Sequence, residues 1–243
     1  MTKEKTQWYA SWFDTPYYHI LYKDRDHEEA HQFMDNLTNY LNLPEDGKVL
    51  DLACGKGRHS VYLNSLGYNV TGVDLSENSI EYAKQFENDT LRFEVHDMCK
   101  PYNEKFDAVF NLFTSFGYFD KDEDNLNTIK AIKEDLNEFG FGVIDFMNTD
   151  FIIENLVAED VKTVEGIDFH QKRYVKDGYI IKDISFTADG EDYNFQERVK
   201  ALTMKDFEAL FEKAGVFLLD VFGDYKLRKY YKTTSERLVM IFK

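Results

Sequence analysis

The chain has 243 residues, 43% of them hydrophobic, which is enough for one α/β domain with an inserted or appended lobe and a sizeable core. Its 45 acidic against 29 basic side chains leave a net charge of −16, which repels phosphate backbones and argues against a nucleic-acid substrate. No apolar run approaches the ~20 residues of a membrane-spanning helix, and MTKEKTQWYASWFD at the N-terminus lacks the apolar centre of a signal peptide. A cytoplasmic protein with no membrane partner is expected, its two cysteines, Cys54 and Cys99, as reduced thiols.

Asp14 and Pro16 are start signals for a short helix through Tyr22. A second helix is predicted from about Asp26 to Leu41, where Ala30, Phe33, Leu37, Tyr40 and Leu41 recur at helical spacing. It contains His27-Glu28-Glu29-Ala30-His31, formally an HExxH pattern that can bind zinc on a helix. Asp24, Asp26 and Glu29 make that face a generic acidic one and no third ligand is suggested, so a solvent-facing stripe and no metal are expected. Pro44, Asp46 and Gly47 then lead into an alternation of strands and helices. The spacing predicts strands at 48–53, 68–73, 91–95, 106–112 and 141–147. Helices are expected at 57–66, from Ser76 to about Phe86, and at roughly 123–138, closing near Gly140. Such alternation means a doubly wound parallel sheet with right-handed crossovers, which binds ligands beyond the carboxyl ends of its strands. Gly55, Gly57, Asp74, Asp97 and Thr114 fall at those ends.

After residue 150 the character changes. Segments 161–165, 167–175, 178–188 and 191–200 are rich in Val, Ile, Tyr, Phe and Thr, and Gly166, Asp177-Gly178 and Asp189-Gly190 separate them. This is the pattern of an antiparallel meander. Along Gln196–Val199 side chains alternate faces, so Glu197 and Arg198 cannot both point inward. A helix at 203–214 and strands at 216–222 and 236–242 close the chain. The expected division is therefore 1–150, helices plus core; 151–200, an inserted β lid; and 201–243, the last helix and strands of a seven-stranded, mostly parallel sheet. An exposed lid edge can pair between subunits, so monomer and homodimer both remain open. The one basic run, YKLRKYYK at 225–232, is expected to be a solvated hairpin.

The stretch VLDLACGKGRHS, residues 49–60, joins a buried strand to a helix through Gly55 and Gly57. A glycine turn there lets a ligand approach the backbone and meet the N–H groups of the helix start. Dinucleotides and S-adenosylmethionine both use such a turn, but the dinucleotide fingerprint wants a third glycine where this chain has Ser60. Asp74, seventeen residues after Gly57, suits the two hydroxyls of a ribose in either class.

With Asp51, Ala53, Gly55 and Gly57, the stretch resembles motif I of the class I S-adenosylmethionine-dependent methyltransferases, Ala53 replacing the first glycine. The resemblance covers roughly residues 11–150 and implies a Rossmann-like fold, S-adenosylmethionine as cofactor and methyl transfer as the reaction. It implies that Asp97 accepts the adenine amino group, that the Met98 N–H meets a ring nitrogen, and that Leu75 and Phe113 are further cofactor contacts. The chain looks most like small-molecule enzymes related to the glycine N-methyltransferases, in which a tyrosine and an arginine before motif I hold the methionine carboxylate. Tyr18 and Arg25 stand at similar distances here, although Arg25 can instead pair with Asp24, Asp26 or Glu29. The loop NLFTSFGYF, 111–119, is not the Asn-Pro-Pro-Tyr type of enzymes acting on DNA bases. Transfer from a sulfonium is mainly a matter of position, and a base is needed only where the acceptor must lose a proton. His59 and Tyr118 are the candidates for that base. The implied reaction moves a methyl to nitrogen or oxygen of a small molecule; the rivals are an NAD-linked oxidoreductase and a cofactor-binding protein without catalysis.

Overall fold

The computed structural model describes residues 12–23, 27–119 and 121–243, which fall into two compact units. Asp26–Phe151 with Leu202–Lys243 form the larger, and the described N-terminal residues 12–23 cluster with Ile152–Ala201 in the smaller. The N-terminal segment thus differs from its expected grouping with the core. The reason is its buried Trp12 and Leu21, which join Val164, Phe169, Ile184 and Phe186 in a separate apolar cluster.

In the smaller unit, helix α1 (Pro16–Leu21) starts with Pro16 and is capped by the Thr15 hydroxyl accepting from the Tyr18 N–H at 3.2 Å. The meander is β6 (Glu159–Val164), β7 (Ile167–Lys176), β8 (Tyr179–Ala188) and β9 (Glu191–Lys200), paired antiparallel in chain order. Glu197 and Arg198 do take opposite directions. Glu197 accepts from Trp12 Nε1 at 2.8 Å and the Tyr22 hydroxyl at 2.7 Å, beside Lys182, whereas Arg198 lies over the Tyr179 ring.

The larger unit begins with α2 (His27–Leu41) and continues through β1 (Lys48–Leu52), α3 (Arg58–Ser65), β2 (Asn69–Asp74), α4 (Glu77–Ala83), β3 (Leu91–Val95) and β4 (Phe106–Asn111). Then come α5 (Asp122–Asp135), β5 (Leu136–Met147), α6 (Thr149–Glu154), which runs across the boundary between the units at Phe151, α7 (Met204–Ala214), β10 (Leu218–Phe222) and β11 (Arg237–Phe242). Among the described residues seven strands form one sheet in the order β10-β11-β5-β4-β1-β2-β3, parallel except at β11 and β10. Ala30, Phe33, Met34, Leu37, Leu63, Ile80 and Ala83 from three helices pack one cluster against Val49, Val70, Phe93 and Phe110 of the strands. Elsewhere Phe207 of α7 meets Phe116 and Phe146, and Phe211 meets Phe242.

The largest departure from the expected elements is at 136–140. The helix ends at Asp135, because that carboxylate turns back to accept the N–H groups of Tyr102 and Asn103, and Leu136 is already extended. Gly140 is therefore inside β5. The strand bulges between its pairings at Phe106 and Ala108, which leaves Phe139 73% exposed. Helix α6 had no expectation; Thr149 anchors it by donating to the Leu202 carbonyl at 2.6 Å.

Candidate active site

The sheet order reverses at β1, which pairs with β2 on one side and β4 on the other. Loops leaving β1 and β4 therefore diverge and open a crevice at their carboxyl ends. Asp51, Ala53, Gly55, Gly57, Asp74, Leu75, Asp97, Met98, Phe113, His59 and Tyr118 all lie on the strand ends and following segments of this one unit.

The turn after β1 is wound left-handed, with φ of +60° at Ala53, +55° at Gly55 and +81° at Gly57. A Cβ on Gly57 would come within 2.6 Å of the Phe93 ring, so only glycine lets α3 start against β3. Gly55 is the opposite case, since a Cβ there would meet no atom within 4 Å. The open side of that residue is a cradle in which the backbone is accessible to a ligand.

Both carboxylates flanking the turn are engaged. Asp51 is 2% exposed and accepts from the Ser60 hydroxyl at 2.6 Å. Burial pushes its pKa up to about 7, the Ser60 hydroxyl opposing the shift and the nearby Asp74 adding to it. Ser60, the residue that breaks the dinucleotide fingerprint, is thus the buried partner of Asp51. Asp74 accepts from the Gly55 N–H at 2.9 Å through one oxygen and from the Ser76 N–H at 2.8 Å through the other. The Gly55 bond ties the end of β2 to the glycine turn, and Ser76 caps α4 with its hydroxyl. Beside Asp74, Leu75 is 48% exposed, an apolar side chain suited to the face of a heterocycle.

Asp97 holds its own turn after β3, accepting from the Cys99 N–H at 3.0 Å with Lys100 Nζ 3.6 Å from its other oxygen. Met98 Sδ lies 3.6 Å from the side-chain amide of Asn111, which also donates to the Leu52 carbonyl and so links β1, β3 and β4 at their ends. Cys54 and Cys99 are in no disulfide; burial raises both thiols, Cys99 to about 12.

In the loop after β4, Phe113 and Thr114 adopt φ of +58° and +61°, a rare backbone for a bulky and a β-branched residue. The His59 ring stacks on Phe113 at 4.3 Å, and Arg58 Nη2 lies 2.7 Å from His59 Nε2. A guanidinium can only donate, so Nε2 is the acceptor in that pair. The Tyr118 hydroxyl donates to the Thr114 carbonyl at 2.7 Å. Three residues absent from the sequence expectations complete this loop's surroundings. Asp145 of β5 accepts from the Phe113 N–H at 2.8 Å, from Arg237 at 2.7 and 2.9 Å, and from the Tyr225 hydroxyl at 3.3 Å. Burial raises the Asp145 carboxyl and the Arg237 donors oppose that shift; with four donors converging, it is the ionised partner of a buried pair. Nothing in the local sequence marks Asp145, Tyr225 or Arg237, since each gains its role from a strand pairing or a distant loop.

Tyr225 also lines a half-open cavity of about 890 Å³ in the same unit. Its walls carry Glu28 and Glu29 from α2 and Lys226, Lys229 and Glu236 from the β10–β11 connection. The basic run 225–232 is thus one wall of a pocket, with Asp224 paired to Arg228 and held below the usual carboxylate range. Its backbone and side-chain hydrogen bonds outweigh the upward pull of burial.

Two proposed cofactor residues are not among the described residues of the larger unit. Tyr18 belongs to the smaller unit, where its ring packs against Trp12, Phe13 and Tyr22. Arg25 lies outside the described residues, as does the side chain of His27. The second histidine of the HExxH pattern, His31, stacks flat on Tyr62 at 3.7 Å.

A methyltransferase domain family matches residues 49–140, which begins at β1 and includes every strand-end residue of the crevice except Asp145 and those of the C-terminal strands. A putative methyltransferase of Bacillus subtilis, YqeM, is 28% identical over 213 residues, 81% of this chain and 85% of that one. The probable S-adenosylmethionine-dependent methyltransferase TehB of Haemophilus influenzae is 38% identical over 139 residues, 51% of this chain and 48% of its own. A sugar enzyme of Streptomyces venezuelae, dTDP-3-amino-3,4,6-trideoxy-α-D-glucopyranose N,N-dimethyltransferase, is 26% identical over 185 residues, 71% of this chain and 76% of that one. Among solved structures, an S-adenosylmethionine-dependent methyltransferase from Clostridium acetobutylicum superimposes with a TM-score of 0.79 at 23% identity, covering 93% of this chain and 95% of its own. The left-handed glycine turn fastened to the acidic end of β2 lies inside the matched methyltransferase domain, and that domain and these relatives support a class I S-adenosylmethionine-dependent methyltransferase.

Proposed function

We propose that the acceptor is a small molecule and that the methyl goes to nitrogen or oxygen, with an amine nitrogen favoured. The cavity beside Tyr225 carries this reading. Its volume of about 890 Å³ is that of a small-molecule site, and the Tyr225 ring is 5.2 Å from Phe113 in the loop after β4. Its lining is charged and of mixed sign, Glu28, Glu29, Asp224 and Glu236 with Lys226, Arg228 and Lys229, which suits a polar acceptor, and the net charge of −16 disfavours a nucleic acid. The amino-sugar relative, whose name gives a nitrogen acceptor, points the same way.

When bound, the cofactor supplies a methyl already made electrophilic by its sulfonium. Asp74 would take the ribose hydroxyls, Leu75 would offer its apolar side to the adenine, and Asp97 with the Met98 N–H would read the adenine edge. Gly55 keeps the approach open. The cofactor's methyl would pass to the acceptor's lone pair, the S–C bonding electrons staying on the sulfur of the departing S-adenosylhomocysteine. The acceptor's proton leaves to solvent. An amine arriving as the free base needs no general base. That suits a site in which Arg58 already occupies His59 Nε2 and the Tyr118 proton is given to Thr114. The reading includes a cytoplasmic location and a monomer or homodimer, which light scattering distinguishes.

The test incubates the protein with methyl-labelled S-adenosylmethionine and a panel of amino sugars, sugar nucleotides bearing amines, amino acids and their hydroxyl analogues. Label on a low-mass amine in the mass spectrum supports the proposal. Label on hydroxyl analogues alone overturns the preference for nitrogen. Label recovered only on added RNA, DNA or protein overturns the small-molecule reading itself.

A further inference from the structure

We infer that the buried Asp145–Arg237 pair is a latch that positions the loop after β4, by holding Phe113 and Thr114 in left-handed backbone. The inference deepens the proposed function, because it assigns residues to the acceptor side of the same site.

The strand register brings the pair together. Asp145 pairs with Val239 and Met147 with Arg237, so Asp145 and Arg237 are diagonal neighbours on one face of the β5–β11 ladder. From there both reach into the loop after β4. One Asp145 oxygen takes the Phe113 N–H at 2.8 Å, and Arg237 Nη2 donates to Thr114 Oγ1 at 2.9 Å. Consecutive left-handed residues with side chains persist only where their surroundings over-determine them. Here the surroundings are this pair, with the Tyr118 hydroxyl on the Thr114 carbonyl and the Tyr225 hydroxyl on Asp145.

Stability alone does not explain an ion pair in this place. Asp145 is fully buried, and apolar residues of similar volume commonly serve a core as well or better. What apolar residues cannot supply is direction: a carboxylate aimed at one amide and a guanidinium fork that bridges to a hydroxyl. The consequence reaches the site through the Phe113 ring. His59 stacks on it, Tyr225 lies 5.2 Å away and Phe33 meets it edge-on at 5.8 Å. If the backbone at 113–114 relaxes to an ordinary conformation, that ring turns away from His59 and Tyr225. Asp145 and Arg237 are therefore positioning residues, acting through Phe113 and Thr114.

The decisive experiment compares four full-length proteins: wild type, Arg237→Met, Thr114→Gly and the double variant. Glycine populates left-handed backbone as readily as right-handed, so Thr114→Gly removes the steric cost that the latch offsets at that residue. The ring-proton signal of His59, assigned by NMR from its loss in His59→Gln, reports the Phe113 stack independently of activity. In Arg237→Met that signal is expected to move, while calorimetric affinity for S-adenosylhomocysteine stays within about threefold and kcat on the acceptor found by the panel falls roughly tenfold to a hundredfold. Adding Thr114→Gly should return the His59 signal and most of kcat. If Arg237→Met does not fold, Arg237→Lys keeps the charge beside Asp145, loses the fork to Thr114, and is read in the same way. An unmoved His59 signal, or a shift that Thr114→Gly leaves unrepaired, overturns the latch. An empty acceptor panel sinks the proposed function, whereas the His59 and S-adenosylhomocysteine measurements still judge the latch.

Discussion

Asp51→Asn tests whether the buried carboxyl under the glycine turn limits the stability of the ligand-free fold. Asp51 is 2% exposed, and burial lifts its pKa to about 7 from the ordinary 3.8. Between those values the folded chain holds a proton that the unfolded chain has released, so stability declines as pH rises through the window. Below pH 3.8 the group is neutral in both states and costs nothing; above 7 the full penalty is present. About 3 pKa units at 1.36 kcal/mol each is roughly 4 kcal/mol for this enclosed group. Asparagine keeps the shape and an acceptor for the Ser60 hydroxyl and removes the charge. Urea unfolding followed by circular dichroism, at intervals from pH 4.5 to 8.5, gives the difference between variant and wild type and cancels every other titrating group. That difference should move in favour of Asp51→Asn by several kcal/mol between pH 4.5 and 8. A difference that stays constant across the range would refute the buried-charge reasoning.

Gly57→Ala should lower stability by about 2–4 kcal/mol, since its Cβ would meet the Phe93 ring at 2.6 Å in left-handed backbone; a urea midpoint equal to wild type contradicts the close packing of α3 on β3. Asp74→Ala removes the acceptor of the Gly55 and Ser76 N–H groups together with the proposed ribose contact. S-adenosylhomocysteine affinity should fall on the order of tenfold to a hundredfold, and unchanged binding in calorimetry would end that assignment. The raised Cys54 and Cys99 thiols predict slow alkylation of the native protein at pH 8 and fast reaction once it is unfolded; equal rates would show that neither thiol is protected.

Local chemistry made much of this protein legible from its sequence. Periodicity marked the α/β alternation, Asp-Gly pairs marked the hairpins of the meander, and the spacing of Asp51, Ala53, Gly55 and Gly57 marked the turn that the structure winds left-handed. These features depend on residues a few positions apart, where dihedral preference and side-chain alternation act directly. Where a carboxylate bends back on a distant amide, that logic failed: Asp135 ends its helix at Tyr102, and β5 starts where further helix was expected. The same limit hid the latch. Asp145, Tyr225 and Arg237 carry no motif and are up to 92 residues apart in the chain, brought together by the β5–β11 register and the β10–β11 connection. Ser60 read as a missing glycine until the fold buried it against Asp51. The sequence by itself determined the fold class and the glycine turn, because both are written in short-range pattern. Only the tertiary structure decided which strained loop stands over the strand ends and which buried charges hold it there, because that outcome depends on long-range pairing and on removing charge from water.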